Sequence, residues 1–420
     1  MMRVFYTAAH YGFPGEVPLG GGAAVCRHLL EEWGRTQPFD VQVLSPDILG
    51  SDAPRHHDLV RFDERRYADF CVRFERALTE RLLREDPEHT VILANDVCEG
   101  PDFARLAARG FSIFTIYHVD VIDYVSRMYL RGFLAPHVLT KAYAAVDGPI
   151  SRRLLPSIVR LLLPKQQDSV LLSRGLIVPS QGMKDVMRLC YPSAAPEKIH
   201  VLPWGIWEEP APTADVAREK RALEEIIGPD DRPVLLMLSR ISPEKRQDRL
   251  LKALALWESQ TDFPDSGLTV LIAGEAAYMH GIRFERELRR LASKLRRTRV
   301  IFTGYAAGAR KAALFDLADL YVFPSEHESY GLTLLEAMRH GVPALACASH
   351  GTRDLLSDDV GLLVGGKSSR AVTAQLLQGL KRMLSNTSAL QAMGRAAAQK
   401  ACQLRFSDAA ARLAELIARR

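Results

Sequence analysis

The chain has 420 residues, 47% of them hydrophobic and 25% charged, with a formal net charge of +5. The length suits two domains, the composition suits an ordinary globular enzyme, and the charge is too mild to argue for nucleic acid as a partner. No run of 18 apolar residues exists, so no membrane span is expected.

The chain opens on a strand-like run, Met2–Tyr6, and not on a signal-peptide pattern. Short β-branched or aromatic runs follow, separated by helical stretches. In the first half these are Val4–Tyr6, Val41–Leu44, Val91–Leu93, Ile113–Tyr117, Leu176–Val178 and His200–Leu202. The second half repeats the scheme with Val234–Leu238, Val270–Ala273, Val300–Phe302, Leu320–Phe323, Ala344–Ala346 and Leu362–Val364. Strands alternating with helices predict an α/β protein with parallel sheets, and two such sets predict two Rossmann-like domains. The Pro- and Gly-rich stretch Pro203–Pro233 is the expected join, with a helix over Asp215–Ile227. The expected boundaries are 1–205, 206–403 and a C-terminal segment 404–420. That last segment holds an amphipathic helix over Ser407–Arg420 with Ala411, Leu413, Leu416 and Ile417 apolar. The six cysteines, at 26, 71, 98, 190, 347 and 402, form no CxxC pair and no metal-like spacing. They read as reduced thiols of a cytoplasmic protein.

Several stretches carry candidate chemistry. Gly20, Gly21 and Gly22 precede a helix over Ala23–Trp33. Glycines at a helix start let a backbone approach an anion, and a plain loop reads the same way. His118 ends a strand, with Asp120 two residues on. It reads either as a structural histidine or as a group that donates to a substrate hydroxyl or handles a proton. Residues 121–174 hold eight Lys or Arg against three Asp, interleaved with Tyr124, Met128, Tyr129, Leu130, Phe133, Leu154, Leu155, Ile158, Val159 and Leu161–Leu163. Two readings stay open: core helices with basic outer faces, or a surface facing an anionic membrane or lipid acceptor. Arg240 and Lys245 follow the strand Val234–Leu238, where open α/β sheets bind ligands. They read as a solvated pair or as a clamp for a diphosphate.

The richest stretch is Pro324–Gly351. A strand ends at Phe323, a loop carries Glu326, His327 and Glu328, and Gly331 opens a helix that Gly341 and Pro343 stop. Glu328 and Glu336 stand eight residues apart beside that helix start, a pattern suited to a sugar diol and a phosphate together. Glu326 reads as a solvated neighbour. Gly361–Ser368 satisfies GxxxxGK[ST], but Leu362–Val364 inside it reads as a strand, so no ATP-binding loop is expected.

On Ser239-Arg240…Lys245, Phe302–Tyr305, Pro324…Glu328…Glu336-Ala-Met and Gly361–Val364, the chain resembles the retaining nucleotide-sugar glycosyltransferases of family 4, of GT-B fold. The match is strong over roughly 174–370 and thinner before. The resemblance implies two Rossmann-like domains facing across a cleft, with the C-terminal helix crossing back to the first. It implies that Glu328 touches the donor sugar and Glu336 the ribose diol. Arg240, Lys245 and the amides of Tyr330, Gly331 and Leu332 would hold the diphosphate. Thr303, Gly304 and Tyr305 would cradle the base, and His118 with Gly21 and Gly22 would meet the sugar. Cations then replace a metal, and no metal or cofactor is expected. Where the family often has glycine, this chain has Ser239 and Arg246, and Glu275 follows Gly274. The expected function is retaining transfer of a hexose from a UDP-sugar, with UDP-glucose as the candidate on family frequency alone, to a saccharide or lipid-linked saccharide. Bacterial surface polysaccharide synthesis, at the inner face of the membrane through residues 121–174, is the expected setting. A GT-B nucleotide-sugar epimerase or a non-catalytic nucleotide-sugar-binding subunit is the alternative.

Overall fold

The computed structural model describes residues 2–11, 20–54, 62–130, 132–146, 157–209, 211–229, 231–276 and 281–419. Arg131, Arg152, Arg153, Leu154, Leu155, Pro210 and Arg420 lie outside them, as do the side chains of Met128 and Ile158. The chain divides into two compact units, Met1–Trp204 with Phe406–Arg420, and Gly205–Arg405.

The first unit is built on six parallel strands: β1 (Arg3–Thr7), β2 (Asp40–Leu44), β3 (Thr90–Ala94), β4 (Ser112–Ile116), β5 (Gly175–Val178) and β6 (Ile199–Val201). Their order is β2-β1-β3-β4-β5-β6. The inner strands β3 and β5 are buried along their whole length, which is why they read as unbroken apolar runs. The edge strand β2 is only half buried and carries Asp40 and Gln42. Helix α1 (Gly21–Thr36) buries Ala23, Val25, Cys26, Leu29 and Trp33. The C-terminal helix, Phe406–Ala418, belongs to this unit, and Trp33 Nε1 donates to the Ala410 carbonyl at 3.1 Å. Its buried face is Phe406, Ala409, Ala410, Leu413 and Ile417. Ala411, read from sequence as part of that face, is exposed because the 3.6-residue period turns it outward.

The basic segment is mixed. Val121, Ile122, Val125, Val159, Leu162 and Leu163 join one core cluster. Lys165 lies on no outer face: it is 6% exposed and donates to the carbonyls of Cys98 and Gly100 at 3.2 and 2.6 Å. Phe133, by contrast, is 87% exposed.

The second unit has strands β7 (Val234–Leu238), β8 (Leu268–Ala273), β9 (Thr298–Gly304), β10 (Leu320–Phe323), β11 (Ala344–Cys347) and β12 (Gly361–Val364), all parallel, in the order β12-β11-β10-β7-β8-β9. The first of these strands in the chain is central, two follow on one side and three on the other. The direction of winding therefore reverses between β7 and β10, the place where open α/β sheets bind ligands. Around this sheet lie α2 (Thr213–Ile227), α3 (Gln247–Glu258), α4 (Gly308–Leu317), α5 (Leu332–Arg339) and α6 (Ser369–Leu384). All twelve strands expected from sequence are present. Because β12 occupies Gly361–Val364, the GxxxxGK[ST] pattern contains a strand and no phosphate loop. Among the described residues, no helix is long and apolar enough to cross a membrane.

Candidate active site

The loops after β7 and β10 meet at the switch point of the second sheet. Glu326 N donates to the Glu244 carbonyl at 2.9 Å, so the two loops are joined through backbone. Lys245 Nζ forms an ion pair with Glu328 Oε1, and both side chains are mostly buried, at 15% and 11% exposed. The sequence placed these two residues 83 apart in separate motifs; the fold brings them together. Arg240 stands 3.7 Å from Glu244, whose carboxylate also accepts from Ser242 Oγ at 2.6 Å. Burial pushes the Glu244 pKa up, but Arg240 and the Ser242 bond more than offset it and leave it below the usual value. The buried Gln247 donates to Ser239 Oγ at 3.1 Å and to the Arg240 carbonyl at 2.8 Å, which fixes the start of the loop.

Two residues of this loop show why its sequence is restricted. Gly274, after β8, has φ +136, and a Cβ there would fall 1.9 Å from the Ser239 carbonyl oxygen. No larger residue fits without moving the segment that carries Arg240. Arg246 occupies the left-handed region, φ 54 and ψ 38, as the residue before α3. That conformation is normally given to glycine. Its guanidinium is held by Asp248 (3.1 and 3.3 Å), Glu326 (3.0 Å) and Ser369 Oγ (3.1 Å). Glu326 also pairs with the buried Arg249 at 3.1 Å. Glu326 is thus a tie between the two loops, and its sequence reading as a solvated neighbour is corrected.

Helix α5 starts after Gly331, at the end of the loop that carries Glu328, and the amides of its first turn have no partner within the helix. Tyr330 is 3% exposed and its hydroxyl accepts from Gly205 N at 3.2 Å. Glu336, in the second turn, is held by Lys311 of α4 at 2.9 Å. Lys311 also binds Glu209 at 2.9 Å. Burial works against the charge on Lys311, but the two carboxylates win and raise its pKa. Burial raises the pKa of Glu336, with Lys311 opposing. These groups border a cavity of about 310 Å³. Thr303 and Gly304 end β9 and Tyr305 follows it; Gly304 O accepts from Gly274 N at 2.8 Å, Thr303 O from Arg310 at 3.3 Å, and Tyr305 is 37% exposed.

In the first unit, winding reverses between β1 and β3. Asn95, the residue after β3, is 7% exposed. Its Oδ1 accepts from Tyr6 OH at 2.6 Å and lies 3.0 Å from His118 Nε2, while its Nδ2 reaches the Gly22 carbonyl at 3.5 Å. With Oδ1 the acceptor on that side, His118 carries its proton on Nε2, and Nδ1 keeps the lone pair. Burial lowers the His118 pKa to about 4, so the ring is neutral near pH 7. Gly22 packs against this ring: a Cβ on it would lie 2.9 Å from His118 Cδ2. Beside them, Glu99 accepts from Tyr67 OH at 2.7 Å and pairs with His10 at 3.1 Å. Burial, then Glu99, raises the pKa of Asp96 to about 7.

Lys311, Glu209, Gln247 and Asn95 were not singled out from sequence. Asn95 had a signal, since it is a polar residue directly after an apolar strand, as His118 is. Lys311 and Glu209 had none, since each follows another charge of the same sign, Arg310 in a helix and Glu208 in a connecting stretch. Among the described residues, no group of three or more His, Cys, Asp or Glu is placed to hold a metal ion.

Residues 219–400 match the family model described as glycosyl transferases group 1. A D-inositol 3-phosphate glycosyltransferase of Xylanimonas cellulosilytica is 31% identical over 219 residues, 49% of this chain and 49% of that protein. An alpha-monoglucosyldiacylglycerol synthase of Streptococcus pneumoniae is 29% identical over 276 residues, 60% of this chain and 58% of that one. The chain spans about half the length of the curated relatives it matches. Sucrose-phosphate synthase from Thermosynechococcus elongatus superposes with a TM-score of 0.72 at 18% identity, covering 99% of this chain and 98% of that one. That likeness is one of fold, the GT-B fold of two parallel six-stranded sheets with helices.

Proposed function

We propose that a chain carrying a glycosyl transferases group 1 domain, with this site, is a retaining, metal-independent glycosyltransferase of family 4. It moves a hexose from a nucleoside diphosphate sugar, taken as UDP-linked, with UDP-glucose as the candidate on family frequency alone, to a saccharide or lipid-linked saccharide. The observation that carries the reading is the meeting of Lys245, Arg240, Glu328 and the α5 N-terminus at the β7/β10 switch point. Two cations and a helix start suit a diphosphate, and a carboxylate beside them suits sugar hydroxyls.

The proposed chemistry uses these groups as follows. The acceptor oxygen bonds to the anomeric carbon on the face from which the diphosphate departs. The bond from that carbon to the phosphate oxygen breaks, and the acceptor proton passes to the departing phosphate. Arg240 and Lys245 neutralise the charge that develops there, with the amides of Tyr330, Gly331 and Leu332. Lys245 pairs with Glu328; a bound diphosphate would draw the ammonium to itself and leave Glu328 to accept from the sugar. Glu336 takes the ribose diol, and the backbone of Thr303, Gly304 and Tyr305 takes the base. In the first unit His118, with Gly22 packed against its ring, offers a sugar hydroxyl the lone pair of Nδ1 instead of a proton, because Nε2 already donates to Asn95.

A contact with an anionic membrane is part of the proposal. It is supported by Phe133 with the exposed Tyr129, Leu134 and Val138 nearby in the chain, and by exposed Lys141. The protein would then be a cytoplasmic enzyme acting at the inner membrane face in surface polysaccharide synthesis. Incubation with a panel of nucleotide sugars and saccharide acceptors, followed by NMR of the anomeric carbon, tests the reaction. Transfer with retention is expected. Isomerised sugar, or binding without any turnover, would contradict it. Sedimentation with anionic vesicles tests the membrane contact, which an unbound protein would refute.

A further inference from the structure

The cavity beside Glu336 is bordered by Trp207, Glu209, Lys311, Leu332, Glu336 and Arg339. Lys311 Nζ stands between two carboxylates from different segments, 2.9 Å from Glu336 Oε1 and 2.9 Å from Glu209 Oε2. An ammonium has three protons and no lone pair. Among the described residues, its hydrogen bonds are to these two oxygens, so one proton is left to give. Glu336 in turn receives Lys311 on Oε1, and Oε2 can accept. The trio Glu209, Lys311 and Glu336 keeps a net charge of one negative unit. With Arg339, also on the border, donating to the Trp207 carbonyl at 3.1 Å, this set suits hydroxyl groups, each of which gives a proton and receives one. The cavity also reaches Leu332, the first residue of α5, so it continues from the helix start assigned to the diphosphate.

We infer that Lys311 determines specificity for ribose in the nucleoside half of the site: Glu336 accepts from one hydroxyl of the diol while Lys311 donates to a hydroxyl oxygen, with Glu209 holding the ammonium in place. This rests on the nucleotide-sugar reading above. The Lys311 side chain is 19% exposed in a cavity that Val216 and Phe315 also line, and an ammonium drawn that far from water costs stability unless it is paired. Glu209 supplies a second counter-charge that Glu336 alone would not need.

The test is calorimetric titration of UDP, GDP and ADP, then of the 2′-deoxy and 3′-deoxy forms of whichever binds best. One charge-assisted hydrogen bond corresponds to roughly 10- to 100-fold in affinity. The wild-type chain is expected to prefer the ribonucleotide over at least one deoxy form by about that factor. Lys311→Met should bring the preference to within about threefold while inorganic pyrophosphate binds as before. Lys311→Gln, which keeps a donor and avoids an apolar replacement, should retain an intermediate preference and serves if the Met variant fails to fold. Full ribose discrimination in a folded Lys311→Met or Lys311→Gln protein overturns this inference alone. Failure of the wild-type chain to bind any of the three diphosphates overturns the nucleotide-sugar reading and this inference together.

Discussion

Arg246 sets two effects against each other, and their balance can be measured. Its left-handed backbone costs an ordinary residue about 1–2 kcal/mol, which glycine would not pay. Against this stand a two-pronged contact to Asp248 and single bonds to Glu326 and Ser369. Asp248 is 6% exposed, so its partner matters more than a surface one would. Hydrogen bonds to charged groups are worth about 1.5–3 kcal/mol each. The loss would be incomplete, because Lys252 stays 2.7 Å from Asp248 and Arg249 stays 3.1 Å from Glu326. Arg246→Gly should therefore destabilise the second unit by about 1–3 kcal/mol even though it relieves the backbone. Arg246→Ala loses the same bonds and keeps the strained conformation, so it should be worse than glycine by about 1 kcal/mol. Urea denaturation, read by hydrogen exchange in Gln247–Glu258 so that the two units are not averaged, measures all three proteins. The expected order of stability is wild type, Gly, Ala. An alanine variant as stable as the glycine variant would refute the backbone argument, and a glycine variant as stable as wild type would refute the bonding argument.

Two further outcomes follow from the first unit. Gly22→Ala would place a Cβ 2.9 Å from the His118 ring, which Asn95 holds at 3.0 Å. It should cost about 1–3 kcal/mol and shift the His118 ring signals in NMR; an unmoved ring with no loss of stability would contradict the packing described. His118 carries a folded-state pKa near 4 against an ordinary 6.5, so the unfolded chain binds the extra proton between those values. Stability should rise with pH from about 4 to 6.5 and be unaffected by this group above, and His118→Gln should remove up to about 3 kcal/mol of that rise. An unchanged pH profile in the variant would show that the ring is not held neutral.

The strands were legible because parallel strands buried on both faces read as short apolar runs. Thr90–Ala94 and Val234–Leu238 are buried throughout, and both were found. The candidate site was legible as separate parts: Arg240, Lys245, Glu328 and His118 lie in polar stretches that follow such runs. What the linear pattern lacked was pairing. Nothing in the loop residues shows that Lys245 rests on Glu328, or that Glu326 serves Arg246 and Arg249, since these contacts join residues about 80 apart. Arg246 was recognised as a departure from glycine, but the side-chain bonds that make an arginine tolerable there come from Asp248 and two distant segments. Lys311 follows Arg310 in α4, and nothing in that run sets one cation apart from the other.

The central claim is that the β7/β10 switch point binds a nucleoside diphosphate through Arg240 and Lys245. Thermal unfolding with UDP, GDP and ADP tests it most directly. A ligand at a hundredfold excess over its Kd adds about 2.7 kcal/mol, which for a unit of this size raises Tm by roughly 5–10 °C. At least one of the three diphosphates is expected to do so, and Arg240→Ala and Lys245→Ala are each expected to remove most of the rise. No shift with any nucleotide, or a shift that survives both replacements, would contradict the account.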